Sequence, residues 1–504
     1  MSALSVPWMH IRSNLGFFLS RAPWRSPPHL PAGPASVPSP FFGVCVASSE
    51  DAACDDYVLG KLRDLEIRCV RVDFSPDSFG SFRERFLRRL LDEGFQVSLH
   101  LVAPRADMEA LPTADGQDRW RRFLRAAFDA FGGAVELFEI GTTVNRRRWS
   151  GFTVPLYLKA WDMACEEAAG REITLAAPNV TDFEPFYNVT LLDGMRRMGR
   201  LPAIHTDNLY IERATEPETF DHKILGRRLA PLLKLNAVHK ARLLAAIGRR
   251  TGVLRNHSTH VSWSLRRIRR VLEHAGEQQA DYVARYCCLM AAANAMERVY
   301  WGPLIGQREG LIDDGTDFFP EVFHVTFYGR ANGKVTDYHA RPAFEAFRAV
   351  NRLLPGRTFL RRVRTTGPLE ILEFQSPDDT LHAVWCHNGA CAASSDCYPA
   401  TTLQAARAYD RSGRQLERVP DLFTQSPVYL VWADDAAIRL QERVGAMPDV
   451  RLATGTDGEC VHVLSDEWRG LIRRSPGDPE MREEALLLPE RLTPMSSPES
   501  TVMR

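Results

Sequence analysis

Between Phe41 and Leu354 the chain alternates, eight times in succession, a short apolar run with a stretch of helical periodicity. The first four units are Phe41–Ala47 with Val58, Leu62 and Leu65; Cys69–Phe74 with Phe82, Phe86, Leu87, Leu90 and Leu91; Val97–Val102 with Trp120 through Phe131; and Ala134–Gly141 with Leu156–Ala169. The other four begin at Ile173, Ala203, Thr259 and Arg298, with helices over Tyr187–Met198, Leu235–Ile247, Tyr282–Ala295 and Pro342–Leu354. Apolar runs that lack a polar face suit parallel strands covered on both sides, and the intervening stripes suit the crossover helices. A doubly wound sheet rarely needs eight such units in a row, whereas eight is the number that closes a barrel. The expectation is a (β/α)8 barrel over 41–356.

Beyond Thr358 the helical period stops. Leu369–Gln375, Leu381–Cys386, Ala405–Asp410 and Pro427–Trp432 alternate as half-buried strands do, and Arg411-Ser412-Gly413-Arg414 suits a hairpin turn. A small antiparallel β domain is expected over 357–474. Prolines at 23, 27, 28, 31, 34, 38 and 40 mark residues 1–40 as a disordered lead, and 475–504 lacks any apolar period and is expected to be a disordered tail.

Composition narrows the function classes. Lys+Arg and Asp+Glu are 63 each, so there is no general electrostatic trap and no nucleic-acid partner is expected. No apolar run approaches the ~20 residues of a membrane span. Gly16-Phe17-Phe18-Leu19 is too short for an export signal, so a cytoplasmic location is expected, consistent with scattered cysteines. The group His382, Cys386, His387, Cys391 and Cys397 lacks a Cys-x-x-Cys knuckle, and no dinucleotide fingerprint is present, so neither a metal nor a cofactor is expected.

In a barrel of this kind the chemistry sits where strands end and βα loops begin. Strand two ends Arg71-Val72-Asp73 and strand three ends Leu99-His100. Strand four runs from Glu139-Ile140-Gly141 through Thr142-Thr143 to Asn145 and Trp149, with Arg146, Arg147 and Arg148 between them. Strand five leads to Asp182 and Glu184, strand six to Asp207, Asn208 and Tyr210, strand seven to Thr259-His260 and Trp263, and strand eight to Tyr300-Trp301.

The Glu-Ile-Gly strand with Asn145 and Trp149, the Tyr300-Trp301 pair, and the segment Gln279–Tyr286 resemble the glycoside hydrolases of clan A, in particular the β-xylosidase and α-iduronidase group. The resemblance spans about Phe41 to Trp432 and implies a glycan or oligosaccharide partner. It also implies an Asn-Glu acid/base pair just after Glu-Ile-Gly and a nucleophile after the strand-seven threonine. Those positions read Thr142-Thr143 and His260, so the resemblance places both expected catalytic glutamates on other residue types.

Retaining chemistry needs two carboxyl groups ~5–5.5 Å apart. If they moved, Asp182, Glu184 or Asp207 are the candidates, with His260 as an acid/base. Arg71, His100, Asn145, Trp149, Asn208, Tyr210, Trp263 and Trp301 are the candidate sugar-binding residues. Glu139 lies inside its strand and is expected to be a buried structural acid paired to Arg71. The three arginines 146–148 suit an acidic glycan. The expected function is action on a glycan, acidic or from the cell envelope, by a non-standard catalytic pair. The alternative is a sugar-binding or assembly protein that no longer hydrolyses.

Overall fold

The computed structural model describes residues 5–19, 34–209, 214–221, 230–316, 328–363, 365 and 367–433, with 438, 440, 452–454 and 460–462 beyond them. Eight parallel strands close into a barrel: β1 (Phe42–Val46), β2 (Cys69–Phe74), β3 (Gln96–Leu101), β4 (Leu137–Ile140), β5 (Leu175–Thr181), β6 (Ile204–Asn208), β7 (Arg255–Val261) and β8 (Arg298–Trp301). β8 returns to pair with β1 through Phe42 opposite Val299. A helix α1 (Ser5–Phe18) precedes the barrel. The crossovers carry α2 (Ala52–Asp64), α3 (Phe82–Asp92), α4 (Ala114–Phe131), α5 (Val154–Ala168), α6 (Pro185–Arg197), α7 (Ala237–Thr251), α8 (Ala275–Ala293) and α9 (Pro342–Leu353). The chain is thus the (β/α)8 barrel its periodicity implies, followed by a β domain.

Helix boundaries follow local chemistry. Asp51, Ser81, Thr113, Thr153 and Asn236 cap α2, α3, α4, α5 and α7, each side chain accepting from a first-turn amide. Inside the barrel the strands alternate, with register shifts at Pro178–Val180 of β5 and Ser258–Val261 of β7. Val70, Val72 and Phe74 of β2 join the large core under the helices, while Cys69 packs in the lumen with Cys45 and Tyr300. Gly43 is required there: a Cβ would lie 2.6 Å from the Tyr300 ring and 2.9 Å from the Cys69 carbonyl.

After the barrel come β9 (Thr358–Arg362), β10 (Leu369–Gln375), β11 (Asp379–Cys386), β12 (Arg407–Tyr409) and β13 (Val428–Ala433). They form an antiparallel sheet in the order β9-β10-β11-β13-β12, and the short strand Ala35–Ser36 extends it at β9. The turn at 411–413 is held by Asp410, whose carboxylate accepts from the Ser412 and Arg414 amides. Glu216 and Glu218 join the two parts. Both accept from the buried Arg285 of α8, and also from the Asn388 amide and the Trp385 indole of the β domain, each at 2.8 Å.

The lead is not wholly irregular. Ser5–Phe18 is helical because its only proline, Pro7, sits in the first turn, where no intrahelical N–H is lost; the dense prolines start at 23. The tail 475–504 lies outside the described residues. No helix among the described residues is long and apolar enough to cross a membrane.

Candidate active site

Two polar clusters occupy the C-terminal end of the barrel. The inner one fills the lumen. Arg71 and Asp73 are two residues apart on β2, so both point inward. The Arg71 guanidinium donates from Nε to Glu139 Oε2 at 2.7 Å and from a terminal nitrogen to Asp73 Oδ1 at 2.8 Å. Asn179 donates to the other Glu139 oxygen at 2.6 Å. His100 lies between the Asp73 carboxylate and the Gly141 carbonyl, at 2.8 Å from each. A carbonyl only accepts, so Nε2 donates to Gly141, while Nδ1 faces the Asp73 carboxylate.

All four ionisable members are buried. Burial works to raise the Glu139 and Asp73 carboxyls, but Arg71 and then His100 outweigh it and hold both below the usual carboxylate range. The expected pairing of Glu139 with Arg71 is therefore present. With every oxygen of Glu139 taken up, this acid is part of the barrel's framework.

The outer cluster sits on the rim, on the loops after β4 and β5. Arg146 bridges Asp182, at 2.7 Å, and Glu184, one carboxylate on each terminal nitrogen. The loops are locked together beneath it. Asn145 donates to the Thr181 carbonyl at 2.9 Å and accepts from the Thr181 amide at 3.0 Å, and the Thr143 amide donates to Asn179 Oδ1 at 2.9 Å. Burial raises the Glu184 carboxyl above its ordinary value, against the opposing pull of Arg146.

The end of β5 and the same two loops carry unusual backbone. Eight described non-glycine residues have φ in the left-handed region, and four of them are Thr143 (39°), Asn179 (56°), Asp182 (63°) and Phe183 (49°). Each such position costs on the order of 1–3 kcal/mol, and structures keep such strain chiefly where it positions something. Trp149 stands beside them on the turn Arg147–Ser150, partly exposed, with the Arg148 guanidinium 5.2 Å from its ring centre and its buried indole Nε1 unpartnered.

Other candidates lie elsewhere. Asn208 faces the lumen and accepts from Thr259 Oγ1 at 2.8 Å. Asp207, one residue earlier on β6, points the other way, to Asn188 of α6 at 2.8 Å. Burial raises its carboxyl well above the ordinary range; Asn188 opposes this, and Asp182 and Glu184 reinforce it. Its side chain lies behind the barrel wall, against α6, and not at the mouth.

The tryptophans Trp263 and Trp301 require a similar correction. They stack on each other, centroids 6.2 Å apart and planes 13° apart, and Trp263 also packs on Tyr282 and Tyr286 of α8. Both are closed off from solvent, so neither offers a face to a sugar. Tyr300, the neighbour of Trp301, is the one that faces the lumen. Sequence could not decide between them, because adjacent strand residues face opposite sides and β8 is buried on both.

His260 lies near the end of β7, its Nδ1 4.0 Å from Cys45 Sγ. Burial pushes its imidazole down to about 4, which disfavours the charged imidazolium form. Tyr210, with Glu212, Arg213, Arg227 and Arg228, lies outside the described residues. Asp73 and Asn179 were missed as site residues. The first was signalled by its i, i+2 relation to Arg71. Arg146, expected to meet an acidic glycan, is instead paired with Asp182 and Glu184. No group of three or more metal-ligating side chains occurs among the described residues.

The barrel and β domain together are shared with solved carbohydrate-active enzymes. A family 39 glycoside hydrolase from the gut symbiont Bacteroides cellulosilyticus is 16% identical with a TM-score of 0.56, over 78% of this chain and 80% of that one. A glucosidase from Croceicoccus marinus is 11% identical with a TM-score of 0.50, over 80% of this chain and 97% of the other. A family 30 subfamily 8 xylanase from Clostridium acetobutylicum gives the same identity, TM-score and coverages. No family model and no curated protein matches the chain. At these identities the likeness is one of fold: a (β/α)8 barrel followed by a β domain.

Proposed function

We propose that this protein acts on a glycan at the rim of the barrel, with Glu184 as the proton donor and Asp182 as the partner carboxylate. The observation that carries this is the concentration of left-handed, strained backbone in the two loops that hold the pair. A carboxyl raised by burial keeps its proton at a pH where an ordinary one has lost it, which is what protonating a glycosidic oxygen needs. Asp182, held on the same guanidinium, is the carboxylate that would serve the other half of a two-carboxylate mechanism.

Trp149 supplies an aromatic face for the apolar side of a sugar ring. Arg147 and Arg148, exposed on the same turn, favour an acidic glycan such as a cell-envelope polysaccharide. A second reading, binding without hydrolysis, draws on one specific feature: Arg146 neutralises both rim carboxylates at once.

Calorimetric titration with neutral, uronic and phosphorylated oligosaccharides, followed by mass spectrometry after long incubation, tests the proposal. Cleavage or transfer product with at least one acidic oligosaccharide is the expected result. Binding abolished by Trp149→Ala with no product from any sugar would favour the second reading, and no binding at all would overturn both.

A further inference from the structure

Helix α1 carries apolar residues on both sides. Its inner face buries Phe17 in the core with Met9 packed against it, and polar residues pin it to α6: Asn14 donates to Thr190 Oγ1 at 2.9 Å and to the Phe186 carbonyl at 3.1 Å, and Ser13 donates to Asp193 at 2.7 Å. The His10 ring meets Tyr187 edge-on at 4.8 Å. Its outer face carries Trp8, Ile11, Leu15 and Leu19, at spacings of three and four, which line up on one side of a helix. Their exposures are 64%, 53%, 56% and 71%, and Phe186 of α6 adds a ring 50% exposed. These are five of the ten strongly exposed large apolar residues among those described.

Scattered exposed apolar residues need no explanation, but a contiguous stripe on one helix does. The charges around it point to what covers it. No Asp or Glu occurs before Glu50, whereas Arg12, Arg21 and Arg25 do. Arg12 is exposed on the stripe's flank, and Arg250 lies over Phe17 of the same helix at 5.4 Å. Asp193, the acid bonded to this helix, carries both Arg196 and Arg197. An apolar stripe with a tryptophan, on a helix that itself carries Arg12 and no acid, is the pattern of a helix lying in a lipid headgroup layer. At 14 residues it is too short to span one. A two-fold pairing of two copies through this face would bring like charges together.

We infer that the α1 face docks on an anionic membrane surface, in the plane of the headgroups. Phe186 lies two residues beyond Glu184, so the docked face adjoins the rim. If the glycan proposal above also holds, the mouth then opens at the lipid surface; the docking itself does not depend on that proposal.

The test is co-sedimentation of the full chain with vesicles of phosphatidylcholine alone and of phosphatidylcholine mixed with phosphatidylglycerol. The expected result is pelleting with the mixed vesicles, weakened by high salt. Pelleting should fall by roughly tenfold in the double variant Ile11→Glu/Leu15→Glu, with the melting temperature unchanged because both side chains face solvent. Failure to pellet, equal pelleting with neutral vesicles, or full pelleting by the double variant would each overturn the inference. So would light scattering that finds a dimer which the same variant dissociates.

Discussion

The barrel holds two sets of carboxylates on arginine, one in the lumen and one on the rim, and they are built differently. In the lumen, Arg71, Asp73, Glu139 and His100 are sealed in, and each oxygen of Glu139 is spoken for. On the rim, Arg146 is half-buried, its two acids reach it from a strained loop, and one of them is raised in pKa. Burial with complete pairing produces rigidity, whereas partial burial with an incomplete surround leaves an acid able to exchange a proton. The lumen is therefore the frame, and the rim is where chemistry is expected.

The largest way to break this contrast is Arg71→Met. It leaves two buried carboxylates without their cation and should cost about 3–5 kcal/mol, read from urea unfolding. A loss below about 1 kcal/mol would mean the lumen is not a frame. A buried polar cluster without charge sharpens the point. His205 sits behind the wall between Asn188 and Asn256, and burial pushes its imidazole down to about 4. A histidine depressed on folding favours the unfolded, protonated chain. His205 should thus contribute up to about 3 kcal/mol of the stability lost as pH drops from 6.5 to about 4, a step it shares with His260, and the loss should shrink by that share in His205→Gln.

Gly43→Ala tests the lumen's packing where no charge is involved. The added methyl meets the Tyr300 ring, and a loss of about 1–3 kcal/mol is expected in the same unfolding assay. Arg146→Met should be the mildest for stability, near 1 kcal/mol or less, because its guanidinium is partly solvated. Its effect belongs to the chemistry: without the cation that pulls Glu184 down, the alkaline limb of any turnover should move to higher pH.

Much of this was legible in advance, and the failures share a cause. The eight units, the Glu139–Arg71 pair and the turn held by Asp410 follow from periodicity, burial of charge and turn chemistry. Which side a strand residue faces does not follow. Parallel strands covered on both faces show no polar alternation, so Trp301 and Asp207 read as mouth residues although both turn outward to the helices. Helix α1 was hidden by the prolines that come after it. The left-handed residues of the rim loops are invisible in sequence, since only Asn179 and Asp182 are types that adopt that conformation with any frequency.

The most direct test of the central claim is product formation from acidic oligosaccharides by Glu184→Gln and Asp182→Asn, compared with the unmodified protein at matched folding stability. Turnover present in the unmodified protein and abolished in both variants, with oligosaccharide binding retained, is the expected result. Turnover that survives both substitutions would contradict it and move the chemistry off the rim.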